Sequence, residues 1–197
     1  SLTSMALEDQ NIKSVPLLAF QAGIVTDKLF SNARIKSIDG TLIKQLVSKN
    51  TVPVIAGFQG ITDTDDDQIP FITTLGRGGS DTSAVAFAIA LKADRCDIFT
   101  DVDGVYTCDP RIVPKARRIT HITFDEMMEL ASLGAKVLHM RSVELAAKYQ
   151  MPVRVLSTFK PENGGTLVTQ HLPEGLESPV VSALSVESGE SLLSMEI

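Results

Sequence analysis

The sequence predicts an α/β protein built on a layered sheet. Three observations support this. Strand-like segments alternate with helical ones along most of the chain, the pattern of a layered α/β sheet. The strands are short continuous apolar runs, such as Val52 to Phe58, as expected where a sheet is covered on both faces. The run Ser83 to Ala93 is apolar on nearly every side and rich in alanine, which marks a helix buried against a sheet.

The elements follow in order. Ser1 to Leu7 reads as helix, and Val15 to Phe20 as a buried strand that Gln21 to Asp27 continues into a loop. Ala33 to Ile38 alternates polar and apolar residues, which suits a half-exposed strand. Gly40 to Lys49 is a helix with Leu42, Ile43, Leu46 and Val47 on one face. After the strand Val52 to Phe58 comes an acidic run holding Asp63, Asp65, Asp66 and Asp67. It lacks the spaced ligands and closing glutamate of a calcium loop, so a solvated hairpin tip is expected. Pro70 to Leu75 reads as a strand. Ser80, Asp81 and Thr82 are candidate N-caps for the alanine-rich helix. Asp97 to Thr100 reads as a central strand. Thr123 to Glu126 is a capping box that opens a helix ending at Gly134. Val137 to Tyr149 is a further helix, and Pro152 to Leu156 and Thr166 to Val168 are strands around a turn at Glu162 to Gly165.

From about Leu172 the composition changes. Pro173, Gly175 and Pro179 sit in a short acidic linker, followed by strand-like runs at Val180 to Leu184 and Leu192 to Ile197. These form either a terminal hairpin on the same sheet or the opening of a second domain, and the linker favours the second. Both ends fall inside patterned segments, as in a piece of a longer protein.

Composition excludes several classes. The 197 residues are 44% hydrophobic and 21% charged, ordinary for a globular domain. A net charge of -6 argues against a nucleic-acid surface, and no basic run attracts a membrane. No apolar run approaches the roughly 20 residues that span a bilayer. Nothing at the start reads as a secretory signal, so a cytoplasmic location is expected. Cys96 and Cys108 are isolated, without metal spacing, and Cys96 opens an apolar run that predicts a buried thiol. His121, His139 and His171 lie near no nucleophile elbow.

Three stretches carry candidate chemistry. The first is Thr73 to Ala84, with Gly76, Arg77, Gly78, Gly79, Ser80 and Asp81 between a strand and a helix. Glycines allow positive φ and close approach. A helix start favours an anion. Arg77 offers a planar fork suited to a carboxylate, and Asp81 can hold a metal, its water shell or an ammonium group. A plain glycine turn before a capped helix is the alternative. The second is Thr100 to Arg111, placed after a strand, where ligands of open α/β sheets gather. There Asp101 and Asp103 can bind a hydroxyl pair, a metal or an amine, Tyr106 can pack on a nucleobase, and Arg111 can reach a phosphate. Turns at Asp103-Gly104 and Asp109-Pro110 are the simpler alternative. The third is Gly134 to His139. Lys136 there lies among apolar neighbours and calls for an anionic partner, either a nucleotide phosphate or Asp101 or Asp109. His139 reads as a hydrogen-bonded core histidine.

In order and spacing these three stretches closely resemble aspartokinase. Gln21 to Ile24, Asn32 to Ile35 and Gly165 to Val168 match that family as well. The Asp101 to Pro110 element is shared with the wider amino-acid kinase superfamily, including UMP and glutamate 5-kinases. The Gly76 to Asp81 element is the part specific to aspartokinase. The resemblance implies a three-layer α/β/α sandwich over residues 1–170, a linker over 171–179, and the start of a C-terminal ACT-like α+β domain over 180–197. It implies transfer of the ATP γ-phosphoryl group, with Mg²⁺, to the side-chain carboxylate of L-aspartate, on the way to lysine, threonine and methionine. Arg77 would hold a substrate carboxylate. Gly78, Gly79, Ser80 and Asp81 would complete that pocket, with Asp81 as its catalytic group. Thr100, Asp101, Tyr106, Asp109, Arg111 and Lys136 would line the ATP pocket. No protein metal ligand is implied. The resemblance further implies a homo-oligomer assembled through ACT domains and a feedback amino acid, lysine or threonine. The family's Lys-Phe-Gly-Gly-Thr-Ser element and its ammonium-binding glutamate have no match here, so these 197 residues alone are expected to be inactive. Another kinase of this fold, acting on UMP or glutamate, and a non-catalytic assembly or sensing chain are the alternatives.

Overall fold

The computed structural model describes residues 1–63, 69–133, 137–172 and 183–184. The chain opens with helix α1 (Leu2–Asp9), capped by the Ser1 hydroxyl, which accepts the Ser4 N–H at 3.2 Å. Strand β1 (Ser14–Leu17) pairs in parallel with β4 (Val52–Ile55). Between them lie β2 (Ile24–Thr26), β3 (Ile35–Ile38) and helix α2 (Thr41–Ser48). Strands β5 (Gln59–Thr62) and β6 (Ile72–Thr74) complete a four-stranded sheet in the order β3-β2-β5-β6.

The hairpin β5–β6 is antiparallel, as the acidic run suggests, although the tip at 64–68 lies outside the described residues. The sequence misplaces β2, which it reads as a loop. The strand is short and carries the polar Thr26. That hydroxyl is fully buried against the Thr73 hydroxyl at 2.6 Å, so the hydrogen bond allows a polar residue where the sequence shows no apolar run.

A second four-stranded sheet follows. Helix α3 (Gly79–Leu91) leads to β7 (Cys96–Thr100). Then come β8 (His121–Thr123), α4 (Phe124–Ser132), α5 (Met140–Tyr149), β9 (Val153–Ser157) and β10 (Thr166–Thr169). The order is β7-β9-β10-β8, with β9 and β10 antiparallel and the other pairs parallel. Among the described residues β7 is therefore an edge strand, not a central one, and Phe99 on it is 55% exposed. The capping box forms as expected. The Thr123 hydroxyl accepts the Glu126 N–H, and the Glu126 carboxylate accepts the Thr123 N–H at 2.9 Å. The residues just before the box form β8, too short and polar to stand out in the sequence. Helix α5 starts later than expected, at Met140, because His139 is extended and serves as its N-cap. The expected linker and second domain lie outside the described residues, apart from 171–172 and 183–184.

Helix α3 explains its own composition. Val85 and Ala88 enter a core with Phe124, Met127, Val143, Val155 and Val168. Phe87 enters a second core with Ala22, Ile24 and Ile43. A helix packed on two sides must be apolar on two sides. Each fully buried large apolar side chain contributes about 1.5–3 kcal/mol, so α3 is a firm anchor for the glycine loop at its start. Cys96 is buried as expected. Burial, with Asp97 and Asp81 nearby, pushes its thiol pKa up to about 11.

Candidate active site

The glycine loop runs from the end of β6 into α3. Gly76 and Gly78 are left-handed, at φ 77° and 70°. Gly78 is the N-cap of α3 and provides no side-chain cap. The expectation that Ser80, Asp81 or Thr82 caps the helix is corrected here. The helix begins at Gly79, and the hydroxyls turn back along it. Thr82 Oγ1 donates to the Gly78 carbonyl at 3.0 Å, and Ser83 Oγ to the Ser80 carbonyl at 2.8 Å. The left-handed glycine starts the helix, so these side chains are free for such back-bonds.

Each glycine of the loop is pressed against another segment. A Cβ on Gly76 would meet Asn32 Oδ1 at 2.9 Å. One on Gly78 would enter the His139 side chain. One on Gly79 would meet Leu75 and Phe58, each at 2.8 Å. The glycines thus serve protein packing on one side of the loop. Arg77 lies between them with an exposed side chain and no hydrogen bond or ion pair among the described residues. Ser80 is also exposed.

Asp81 is half-buried in the first turn of α3. Burial raises its pKa, while a backbone hydrogen bond from His139 and the His139 charge oppose the rise. Asp81 and Gly78 therefore meet the same residue. His139, expected in a core, is the half-buried N-cap of α5, and its Nδ1 accepts the Arg141 N–H at 3.4 Å. It is the seat of the glycine loop.

The second candidate loop leaves the end of β7. Thr100 Oγ1 donates to Asp101 Oδ1 at 3.1 Å, and Asp101 is exposed. The Tyr106 hydroxyl donates to Asp103 Oδ1 at 2.8 Å, and that bond raises the Tyr106 pKa. Arg118 Nη1 lies 3.6 Å from Asp103 Oδ2. Tyr106 and Arg118 also pair across an isolated antiparallel bridge. Thr166 on β10 accepts the Val105 N–H at 2.8 Å and donates to the Ile119 carbonyl at 2.5 Å, which fixes both strands of the loop. Asp109 and Arg111 clamp each other, with Nη2 to Oδ2 at 2.8 Å and Nε to Oδ1 at 3.1 Å. This pairing lowers the Asp109 pKa and raises that of Arg111. The Arg111 side chain is 89% exposed, so a phosphate seeking it must compete with Asp109.

Each loop is ordered within itself. Among the described residues no hydrogen bond or ion pair joins the glycine loop to the 100–111 loop. Lys136 lies outside the described residues. The described residues contain no group of three or more histidine, cysteine, aspartate or glutamate side chains that could hold a metal ion. No helix among them is long and apolar enough to cross a membrane. Arg141 was not singled out by the sequence. Its guanidinium donates to the Leu75 carbonyl, immediately before the glycine loop, and to the Ala33 carbonyl, both at 2.6 Å. The one signal for it is a cation in the first turn of a helix, where the dipole disfavours positive charge.

A mixed-sheet α/β architecture with a left-handed glycine loop opening a buried helix agrees with what a sequence comparison finds independently: the chain belongs to the amino acid kinase family, whose profile matches residues 1–157. Aspartokinases are among the curated proteins it resembles. It is 50% identical over 195 residues to an aspartate kinase of Pseudomonas putida, covering 99% of this chain and 46% of that protein. E. coli aspartokinase III bound to aspartate and ADP superposes with a TM-score of 0.71 at 36% identity, over 85% of this chain and 37% of that one. The same enzyme bound to lysine and aspartate gives 0.72 at 35%, over 88% and 38%. The chain thus spans about half the length of the curated relatives it matches.

Proposed function

We propose that the full-length protein carrying this chain is an aspartate kinase, transferring the γ-phosphoryl of ATP to the side-chain carboxylate of L-aspartate. The observation that carries the reading is Arg77, an exposed guanidinium with no hydrogen bond or ion pair among the described residues, held by two left-handed glycines at a helix start. A planar fork of donors in that position suits a carboxylate. A UMP acceptor would present phosphate and a base, for which this loop has no aromatic side chain. The named aspartokinase relatives, one of them bound to aspartate and ADP, support the same reading.

In this account Arg77 holds an acceptor carboxylate, and the amides around Gly78, Gly79 and Ser80 add partial positive charge. Asp81 is tied to His139, so it orients the loop and meets the substrate ammonium group from one side. Tyr106 flanks the base, with its hydroxyl fixed on Asp103. Thr100, Asp101, Asp109 and Arg111 line the nucleotide, and Lys136 is assigned to its phosphates. When bound with the triphosphate, Mg²⁺ would offset its negative charge, and the described residues hold no cluster of three or more side chains that would ligate the metal directly. Catalysis is positioning and charge neutralisation, since two anions must meet in line. Residues 180–197 are assigned to the opening of an ACT domain, through which copies assemble and lysine or threonine acts. E. coli aspartokinase III bound to lysine supports that regulation. The location is cytoplasmic. These 197 residues contain no Lys-Phe-Gly-Gly-Thr-Ser element, so catalysis is proposed for the full-length protein and not for this chain alone.

A coupled assay tests the reading. The full-length protein with ATP and Mg²⁺ should release ADP when L-aspartate is added, and not with UMP or L-glutamate. Release with UMP or glutamate but not aspartate overturns the acceptor. No release with any of the three supports a non-catalytic chain.

A further inference from the structure

We infer that Arg141 is a positioning residue of the acceptor site, holding the glycine loop in the shape that presents Arg77. The inference rests on the acceptor-site reading above and adds a residue that contacts no substrate. Three segments meet at its guanidinium. Nη1 donates to the carbonyl of Leu75, the residue before Gly76, and Nη2 to the carbonyl of Ala33. The Ala33 N–H in turn donates to the Thr74 carbonyl at 2.9 Å, and the Thr74 N–H to the Phe30 carbonyl at 2.8 Å. Gly76 rests on Asn32, Gly78 on His139 and Gly79 on Phe58, so residues 30–33 and the start of α5 form two of the three supports beneath the loop. Arg141 is the side chain that locks these two supports to each other and to the root of the loop.

The arrangement is electrostatically unfavourable for a residue with a purely structural task. Arg141 is half-buried, yet no carboxylate lies within ion-pair distance of it among the described residues. It sits in the first turn of α5, at the positive end of the helix dipole. Its two bonds go to neutral carbonyls; burial and the Arg34 charge disfavour its cation and lower its pKa, and Asp27 opposes them only from beyond ion-pair distance. A neutral donor would satisfy those carbonyls at lower electrostatic cost. An anion held by Arg77 gains from a second fixed positive charge close by. A half-buried cation without a contact carboxylate at a helix start breaks the local rules, and such departures concentrate at functional sites.

The test compares Arg141→Gln and Arg141→Lys in the full-length protein, alone and combined with Arg77→Ala. Arg141→Gln should raise the aspartate KM about tenfold and leave the ATP KM within about twofold, because loosening a positioning element is felt where it points. Arg141→Lys keeps the charge and a donor for either carbonyl, and should recover most of the loss. In the Arg77→Ala background the Arg141→Gln effect on aspartate KM should disappear, because residues acting as a unit are not additive. Amide exchange in the segment 75–80 should rise in Arg141→Gln by more than global stability explains. Equal rises in both KM values, an undiminished effect in the Arg77→Ala background, or a lower melting temperature with unchanged aspartate KM overturns the inference. If the wild-type protein shows no aspartate-dependent ADP release, the functional reading fails by itself. Exchange in segment 75–80 then decides alone whether Arg141 positions the loop, and unchanged exchange overturns it.

Discussion

Gly78→Ala should destabilise the protein by about 2–3 kcal/mol, towards the upper end of what single substitutions cost. Two effects add. Gly78 is left-handed at φ 70°, which costs a residue with a Cβ about 1–2 kcal/mol. The new methyl group would also enter the His139 side chain. That ring cannot simply rotate away, because it caps α5, and a lost cap costs about another 1 kcal/mol. For a chain of this size roughly 10 °C of melting temperature should go. Gly164 supplies the control. It too is left-handed, at φ 85°, but a Cβ added there would meet nothing within 4 Å. Gly164→Ala should therefore show the conformational cost alone. Thermal melts of both variants read the difference. Equal drops would mean that the loop does not rest on His139.

Arg77→Ala should raise the aspartate KM about tenfold to 150-fold, the equivalent of a charge-assisted hydrogen bond of about 1.5–3 kcal/mol. The ATP KM should change far less. Stability should barely move, since the side chain is exposed and makes no hydrogen bond or ion pair among the described residues. This combination separates Arg77 from its neighbours. Gly78 is a residue of the fold first, and its substitution damages both stability and binding. Steady-state kinetics with each substrate varied in turn, alongside a thermal melt, provides the check. An unchanged aspartate KM rejects the role given to Arg77.

What the sequence made legible was whatever is encoded locally. The capping box at Thr123 and Glu126 needs only its own four residues, and it formed as read. Helix α3 was legible because two cores demand apolar residues on both its sides. The glycine motif announced a special turn. Why its glycines are required was not legible, since the reasons are Asn32, Phe58 and His139, all remote in sequence. The same limit hid Arg141, whose partners Ala33 and Leu75 are joined to it only by the fold. Strand β2 was missed because Thr26 satisfies itself on Thr73, a contact that no local pattern records. The edge position of β7 depends on strand order, which periodicity does not specify. In the second loop the residue types suggested a nucleotide, yet Asp109 and Arg111 hold each other. Residue type alone could not distinguish an open ligand from an internal ion pair.

The central claim is that the acceptor held by the glycine loop is a carboxylate. Phosphorylation of a carboxylate yields an acyl phosphate, and hydroxylamine attacks its carbonyl carbon, displacing phosphate and leaving a hydroxamate. The decisive measurement is therefore hydroxylamine trapping of the product formed by the full-length protein from ATP and L-aspartate. The account predicts aspartyl hydroxamate accumulating in step with ADP. ADP formed without hydroxamate, or formed only when an acceptor lacking a carboxylate is supplied, would contradict it.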